Sequence, residues 1–426
     1  MAGSKHMFHA VMAPNGSEAA LRLPVNRLTD TEPQLDLKRL RSYRLGRLRA
    51  ELAAGDCAAA ILVDPISIRY ATGSRNASVF QMHVPMRYLF VPVEGPVVLF
   101  DGESYRATAE GLETVAEFRV ALPLSHFFAG PREEETIRRW ADEMGALVRT
   151  HCGAGPRIAT DFGQSSAVTA LREQNLDLVP AQGFVERARS IKSPDEVLCM
   201  NLALAVAEAG AAKMRAALVP GITENELWSL LHQTNIAMGG DWIEGRLLSS
   251  GDRLNPWLQE ASDRMVRPGE LVGFDTDMVG PLGYCADMSR TFHCGPGKPT
   301  PAQRDLYKLA FEEIQHNMEL LRPGVSFREL SQKAWRIPEP YIRNRYMVLM
   351  HGIGMCDEYP AIYHRYDWDS AGYDGTVEEN MTLCIESFIG AEGGHEGVKL
   401  EEQVLVTRTG VRCLSHFPFE DELLGG

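Results

Sequence analysis

An internal repeat constrains the fold of this 426-residue chain more than any other feature of its sequence. Residues 218–227, LVPGITENEL, match residues 321–330, LRPGVSFREL, at a constant offset of 103 positions. In each copy an apolar helical pattern ends at Pro-Gly. Thr223 or Ser326 then precedes a glutamate by three residues, which is typical of the start of a helix. Self-similarity of this kind predicts two equivalent α+β halves around a pseudo-twofold axis.

The first half carries three candidate metal ligands. Residues 271–280 read as a strand, and side chains two apart on a strand point to the same face. We therefore expect Asp275 and Asp277 to project together. Carboxylates held side by side repel each other unless a proton or a cation lies between them. Asp287 follows after a turn and supplies a third carboxylate.

The second half carries His351, Glu386 and Glu401. Taken singly, an Asp near a turn is usually a cap, and a His beside glycine is usually structural. Glu386 and Glu401, however, lie next to apolar strand-like runs, and an ionised carboxylate is rarely buried without a partner. Five carboxylates and one imidazole are enough ligands for two divalent ions. This donor set favours Mn²⁺, Fe²⁺ or Co²⁺ over a thiolate-rich zinc site.

The order and local sequence of these residues resemble the pita-bread metallohydrolases, which include creatinase, prolidase, aminopeptidase P and methionine aminopeptidase. The resemblance covers about residues 190 to 412 and rests on Asp-x-x-Arg-Thr, His-Gly-x-Gly, Ile-Glu and a final Glu-Glu before Val-Leu-Val-Thr. It implies a pita-bread catalytic domain. It also implies five metal ligands, which are Asp275, Asp287, His351, Glu386 and Glu401.

Two departures from the peptidase pattern change the expected chemistry. The peptidases usually have Asp-x-Gly where this chain has Asp275-Thr276-Asp277, so Asp277 is added as a sixth ligand. They also carry a second His about seven residues after the liganding one, and that region here contains Asp357 and no His. Both departures resemble the dimethylsulfoniopropionate (DMSP) lyases of the same fold. That resemblance implies two divalent ions, with iron preferred to manganese, zinc or cobalt, and a small zwitterionic sulfonium substrate.

The resemblance to the lyases also suggests roles for residues near the metal site. Asp357 is the candidate base, with a pKa raised by its apolar neighbours, and Glu358 is its rival. Tyr346, on a strand-like segment 346–350 that leads into His351, is placed in the substrate pocket. Sulfonium cations bind aromatic faces, so we expect one or two of the aromatic residues after His351 to form a cage. The candidates are Tyr359, Tyr363, Tyr366, Trp368 and Tyr373.

Three functions compete at this point. The first is a metal-dependent carbon–sulfur lyase that cleaves DMSP to dimethyl sulfide and acrylate by base-promoted β-elimination. The second is a dinuclear-metal Xaa-Pro peptidase, or another small-amide hydrolase of the same fold. The third is a binding protein that has lost catalysis. It ranks last because binding members of the fold tend to lose metal ligands, whereas this chain has gained one.

The chain before the repeat predicts a separate domain. Residues 1–33 lack periodicity and predict an N-terminal arm, either packed or disordered. Residues 34–190 alternate strands and helices, which predicts a small α/β domain without a catalytic constellation. Residues 69–73, Arg-Tyr-Ala-Thr-Gly, resemble the creatinase-type N-terminal domain, which implies that this domain is creatinase-like. The pita-bread catalytic domain is expected over residues 191–426, and its first helix starts with Ser193 as N-cap and Pro194 in the first turn.

Composition limits the classes of binding partner and the cellular compartment that we expect for this protein. A net charge of −14 and a pI near 5.4 argue against nucleic acids and anionic membranes. No apolar run approaches the roughly 20 residues needed to span a bilayer. The eight cysteines lack CxxC spacing, which predicts free thiols in a reduced cytoplasmic protein. Relatives with this type of N-terminal domain are commonly dimers, so the resemblance implies a homodimer.

Overall fold

The computed structural model describes residues 35–425, so the predicted N-terminal arm of residues 1–33 lies outside the described part. The chain up to Ser190 forms a six-stranded sheet with flanking helices. The helices are α1 Leu37–Ala54, α2 Pro65–Thr72, α3 Ser78–His83, α4 His126–Ala129, α5 Glu133–Cys152, α6 Ser165–Arg172 and α7 Gln182–Ser190. The strands are β1 Ala59–Leu62, β2 Tyr88–Pro92, β3 Val98–Asp101, β4 Glu117–Val120, β5 Arg157–Thr160 and β6 Asp177–Pro180.

The sheet has the order β4-β3-β2-β1-β5-β6, with β1, β5 and β6 running parallel. Its central strands are buried on both faces. Ala60 and Leu62 of β1 pack into one hydrophobic cluster, and Ala59 and Ile61 pack into another on the opposite face. A strand covered on both sides reads as a continuous apolar run, as the sequence does here. The predicted α/β class of this part of the chain is confirmed.

The chain from Pro194 onward forms a larger α+β unit. Its helices are α8 Pro194–Ala217, α9 Glu224–Ala237, α10 Pro301–Leu320, α11 Phe327–Lys333, α12 Trp368–Ala371 and α13 Asp421–Leu424. Its strands are β7 Trp242–Ile243, β8 Leu248–Ser250, β9 Leu271–Asp275, β10 Met278–Val279, β11 Cys285–Ala286, β12 Ser289–His293, β13 Met350–Ile353, β14 Asp357–Ile362, β15 Thr382–Ile389, β16 Val398–Thr407 and β17 Gly410–Cys413. They form three sheets in the orders β11-β10-β7, β12-β9-β8 and β14-β13-β15-β16-β17.

The repeat appears as two matching helix pairs. The long helices α8 and α10 each start with a capping box and a proline in the first turn. The helices that follow, α9 and α11, start after Thr223 and Ser326, whose side chains accept hydrogen bonds from the backbone N–H of Glu226 and Glu329. The local structure predicted from the 103-residue offset is confirmed.

The two halves meet between β12 and β16. The Thr291 hydroxyl donates to the Lys399 carbonyl at 2.9 Å and accepts from the Lys399 N–H at 3.0 Å. The Arg290 guanidinium donates to the Glu401 carbonyl at 2.8 Å. These bonds hold a strand of the first half against a strand of the second, so the ligands of both halves face one site.

Among residues 35–425, α8 is the helix whose length and apolar composition would suffice to cross a membrane. Within its most apolar window, 61% of the residues are buried inside the protein. Residues Val206, Ala207 and Met214 pack in the main hydrophobic cluster. We therefore describe α8 as a core helix of the catalytic unit.

Candidate metal centre

All six predicted ligands lie in one buried site between the two halves. Their ligand atoms form three groups, and within each group the atoms lie within 4.8 Å of one another. The groups are Asp275, Asp277 and Asp287; Asp275, Glu386 and Glu401; and Asp287, His351 and Glu401 with Cys384. Asp275, Asp287 and Glu401 each belong to two groups, which suits carboxylates that bridge two ions. Whether the six side chains bind metal stays a prediction.

Strand register explains why residues far apart in sequence meet here. Glu386 on β15 is paired directly with Glu401 on β16, and His351 on β13 is paired with Cys384 on β15. Opposite residues in an antiparallel pair point to the same face of the sheet. The Nε2 atom of His351 consequently lies 3.3 Å from Glu386 Oε1 and 3.8 Å from Glu401 Oε1.

The strand predicted over residues 271–280 is wrong in its middle. β9 ends at Asp275 and β10 starts at Met278, so Asp275 and Asp277 are not two positions on one strand. Asp277 instead adopts a φ of +34°, a left-handed conformation that favours glycine. The backbone turns Asp277 towards Asp275 and Asp287, so the two aspartates do meet, for a reason other than the alternation of a strand.

Sequence reasoning missed a buried lysine in this site. The ammonium of Lys399 lies 3.0 Å from Asp275 Oδ2, 2.6 Å from Glu386 Oε2 and 3.4 Å from Glu401 Oε2, and its side chain is fully buried. Lys399 precedes Glu401 by two residues on β16, so both side chains point to the same face. The alternation that was applied to Asp275 would have found Lys399 as well.

Lys399 forms an ion pair with one oxygen of each of three carboxylates and does not contact the other oxygen. The remaining oxygens Asp275 Oδ1 and Glu401 Oε1 are buried without a hydrogen-bond partner in the part of the chain that the structure describes. An unpaired buried carboxylate oxygen is costly, and buried charges are normally paired or coordinate metals. The orphaned oxygens therefore fit cation binding.

The charge balance of the site fits two divalent ions. Five carboxylates face one ammonium, which leaves four negative charges, and two divalent ions carry four positive ones. Burial, and then the neighbouring carboxylates, raise the pKa values of Asp287 and Glu401 well above the usual range. Burial also raises the pKa of Asp275, but the charge of Lys399 and the hydrogen bonds with Glu401, Asp287 and Lys399 together outweigh it and lower the pKa to about 2. One ammonium therefore does not compensate the five carboxylates, since even Glu401, which Lys399 contacts, has a raised pKa.

Comparison with known proteins places this geometry in a family. The model of metallopeptidase family M24 matches residues 198–408, and that of the creatinase/prolidase N-terminal domain matches residues 44–191. A protein from Roseovarius nubinhibens named dimethylsulfoniopropionate lyase DddP is 36% identical over 92% of this chain and 89% of its own length. The chain belongs to the M24 family.

Two further relatives describe its place among M24 proteins. A protein from Roseobacter denitrificans, also named dimethylsulfoniopropionate lyase DddP, is 36% identical over 92% of this chain and 88% of its own length. The solved structure of an Xaa-Pro dipeptidase from Bacillus anthracis superposes with a TM-score of 0.72 at 19% identity, covering 89% of this chain and 99% of that one. The predicted combination of a creatinase-like domain and a pita-bread domain is confirmed.

Two aromatic rings flank Lys399 in this M24 site. The ammonium lies 4.5 Å from the centre of the Tyr346 ring and 5.8 Å from that of Trp257. Tyr346 is therefore beside the carboxylates, although its predicted strand is wrong because only Met350 of residues 346–350 belongs to β13. Trp257 was not predicted. It packs 6.1 Å from Phe388, which follows the candidate ligand Glu386 by two residues.

The five aromatic residues predicted as a sulfonium cage contact other protein groups. Tyr359 stacks on Tyr373 at 6.0 Å, and both rings pack against Phe327. The guanidinium groups of Arg345 and Arg328 lie over Tyr366 and Trp368, and Tyr363 packs on Tyr373. These contacts favour the reading of the five rings as packing residues. The rings beside Lys399 in the site are those of Tyr346 and Trp257.

Asp357 and Glu358, the two candidate bases, occupy opposite environments. Asp357 begins β14 with Oδ1 at 3.8 Å from His351 Nδ1, and its side chain is 59% exposed. It also lines a cavity of about 650 Å³ whose other lining residues, Cys356 apart, belong to the N-terminal domain. Partial desolvation raises its pKa, His351 opposes this effect, and nearby carboxylates add to it. Glu358 is fully buried in ion pairs with Lys192 and Arg189. The structure therefore favours Asp357 as the base.

Proposed function

We propose that this chain is a metal-dependent carbon–sulfur lyase that cleaves DMSP to dimethyl sulfide and acrylate. The observation that carries the proposal is the 36% identity to two proteins named DMSP lyase, which extends over 92% of the chain and so includes both domains. The placement of Asp357 beside His351, where the peptidases carry a second His, supports it further.

The metal centre is proposed to hold two divalent ions on Asp275, Asp277, Asp287, His351, Glu386 and Glu401. When bound, such ions would polarise the substrate carboxylate and so acidify the adjacent C–H group. Iron is our choice of metal, because an oxygen-rich set with one imidazole suits Fe²⁺ and because this chain resembles two proteins named DMSP lyase at 36% identity. Metal analysis of the purified protein tests the choice, and two manganese or zinc ions per chain would overturn it.

The chain's own residues supply the proton transfer. An oxygen of Asp357 takes the proton from the carbon next to the substrate carboxylate. The electrons of that C–H bond form the C=C bond of acrylate, while the carbon–sulfur bond breaks and leaves its electron pair on dimethyl sulfide. A raised pKa makes Asp357 a stronger base than an ordinary aspartate. Because its side chain is exposed, the proton can pass to water afterwards.

The second candidate function is an Xaa-Pro peptidase, favoured by the similarity of the fold to a solved Xaa-Pro dipeptidase at a TM-score of 0.72. One experiment separates the two functions. The purified protein is incubated with DMSP and, in parallel, with Xaa-Pro dipeptides, and dimethyl sulfide and free proline are measured. We expect dimethyl sulfide only. Release of proline without dimethyl sulfide would reverse the ranking.

We also propose a homodimer located in the cytoplasm. The exposed rings of Phe80, Phe127 and Phe128 lie against one another on the N-terminal domain, with Phe127 70% exposed, and such apolar patches commonly mark subunit interfaces. All eight cysteines are free thiols, which suits a reducing compartment. Light scattering of the purified protein tests the dimer, and cell fractionation tests the location.

A further inference from the structure

A cluster of buried charges joins the N-terminal domain to the strand that carries Asp357. We call it the domain clamp, and its members are Glu186 and Arg189 on α7, Lys192 in the linker and Glu358 on β14. Arg189 donates to Glu186 Oε1 at 2.7 Å and lies 3.3 Å from Glu358 Oε2. Lys192 pairs with the other oxygen of Glu358.

The clamp also holds the backbone of β14. Oxygen Oε2 of Glu186 accepts the N–H of Tyr359 at 2.8 Å. Glu186 therefore contacts β14 twice, once through Arg189 and Glu358 and once through this backbone bond. Both contacts fall within two residues of Asp357, the first residue of the strand.

The strand needs this support because its pairing with β13 is irregular at the same point. The register shifts between His351 and Gly352, after which Gly352 pairs with Glu358 and Ile353 with Asp357. A register shift of this kind locally disrupts the ladder and bends the strand. The position of Asp357 therefore depends on contacts from outside the sheet, and α7 provides them.

We propose that α7 is a positioning element for the base, with Glu186 as the residue that fixes the start of β14 so that the Asp357 carboxylate stays beside His351. This inference rests on the proposed function, since it assumes that Asp357 acts as the base. It gives the N-terminal domain a part in turnover, although that domain touches no reacting atom.

The test compares two substitutions at one half-buried position. Glu186→Ala removes both the acceptor for Tyr359 and the partner of Arg189, whereas Glu186→Gln keeps an oxygen that accepts the Tyr359 N–H. For Ala we expect kcat for dimethyl sulfide release to fall about tenfold or more while KM stays within about threefold, because misplaced catalytic groups lower kcat more than binding. Gln should restore most of kcat, and both variants should keep their metal content.

The control is Arg187→Ala on the same helix. Arg187 is 49% exposed and its side chain pairs with Glu51 on α1, so removing it leaves the contacts of Glu186 and Arg189 with β14 in place and the activity of this variant should equal that of the wild type. A folded Glu186→Ala variant with wild-type kcat would overturn the proposal, as would a Gln variant that loses as much as Ala. If the Glu186→Ala variant folds poorly, Arg189→Lys replaces it in the test. Lysine keeps the positive charge but cannot contact Glu186 and Glu358 at the same time, so kcat should fall in the same way.

Failure of the proposed function gives a different result. In that case the wild-type protein releases no dimethyl sulfide, and the comparison between Ala and Gln is made with whichever substrate it does turn over. A kcat loss restored by Gln on that substrate would keep the positioning role of α7 while removing the lyase assignment. A kcat unchanged by Ala on that substrate would remove the positioning role as well.

Discussion

The domain clamp and the metal centre are both clusters of buried charge, and they differ in balance. In the clamp two carboxylates, Glu186 and Glu358, face two cationic groups, Arg189 and Lys192. In the metal centre five carboxylates face Lys399. Histidine aside, Lys399 is the single cationic group of residues 35–425 that lies within ion-pair distance of them. Buried charges are tolerated when they are paired, so the first cluster is complete as it stands.

The unbalanced cluster shows where a ligand belongs. Asp277, Asp287 and Glu401 of the metal centre have raised pKa values, and Lys399 is, histidine aside, the single cation of the described chain beside the five carboxylates. Each oxygen of Glu358, in contrast, lies within ion-pair distance of its own cationic group, although its Oε2 accepts no hydrogen bond within residues 35–425. A set of acids is therefore not a metal site merely because it is buried. The deciding feature is an excess of negative charge that the protein leaves uncompensated.

The largest expected effect breaks the unbalanced cluster. Glu386→Gln removes one negative charge and one candidate ligand, so we expect the protein to lose at least one of its two ions and its turnover to fall below detection. Metal analysis and the dimethyl sulfide assay measure the two effects. If the variant keeps two ions per chain, the charge argument for the metal centre is wrong.

Asp357→Asn tests the base without changing the ligands. The amide cannot accept the substrate proton, so kcat should fall about 10²- to 10⁴-fold, the range typical of general base catalysis. Metal content should stay the same, because Asp357 is not one of the six candidate ligands. Retained turnover would remove Asp357 as the base.

Glu358→Gln breaks the balanced cluster. The substitution removes the carboxylate that pairs with the buried cationic groups of Lys192 and Arg189. Breaking a buried ion pair in this way lowers the free energy of unfolding by about 3–5 kcal/mol. Urea denaturation measures the loss. The double variant Glu358→Gln/Lys192→Met should recover part of it, and both variants should keep their metal. Loss of metal in either would show that the two clusters are not independent.

A third type of buried carboxylate gives an effect that depends on pH and is small at pH 5. Glu313 on α10 accepts from the Ser387 hydroxyl at 2.7 Å, and burial raises its pKa to about 8. The folded protein therefore binds the proton of the Glu313 carboxyl more tightly than the unfolded chain does. As pH rises from about 5 to about 8, the free energy of unfolding should fall by up to about 1.4 kcal/mol per pH unit. Glu313→Gln should remove this slope, because the amide does not titrate. The melting temperature of the variant minus that of the wild type should therefore be larger at pH 8 than at pH 5. An equal difference at both values would contradict the buried, protonated state.

Asp277→Gly is expected to have the smallest effect on stability. Glycine adopts the left-handed φ of +34° without strain, so the chelator-treated variant should be as stable as the wild type or more stable by about 1 kcal/mol. Occupancy of one metal position should fall because a ligand is lost. Unchanged metal stoichiometry would show that Asp277 is not a ligand.

The helices and the repeat could be predicted from the sequence because their signals are local. Thr223, Ser326 and Ser193 each stand directly before a helix with a glutamate three residues on, and each caps its helix in the structure. The convergence of the acids could be predicted from the resemblance. The conformation of Asp277 could not, because a strand and a left-handed turn both bring it close to Asp275 and the apolar pattern fits the strand equally well.

Other features depend on contacts that no local pattern contains. The choice between Asp357 and Glu358 rests on Arg189 and Lys192, which lie more than a hundred residues earlier in the chain. Trp257 reaches the site from a loop, and its sequence surroundings resemble an ordinary turn. The aromatic residues after His351 fitted the cage hypothesis by composition, but the structure shows them packed against one another and against arginines.

The left-handed backbone at Asp277 bears on how a sixth ligand could arise. The peptidases usually have glycine at this position, so the scaffold already follows a path that glycine prefers, and the aspartate needs no rerouting of the chain. Aspartate and glycine codons differ by one nucleotide. A single mutation could thus add a carboxylate to an existing dinuclear metal site, at the cost of modest strain in the backbone of residue 277. The new ligand would change the chemistry of the site before any other residue had changed.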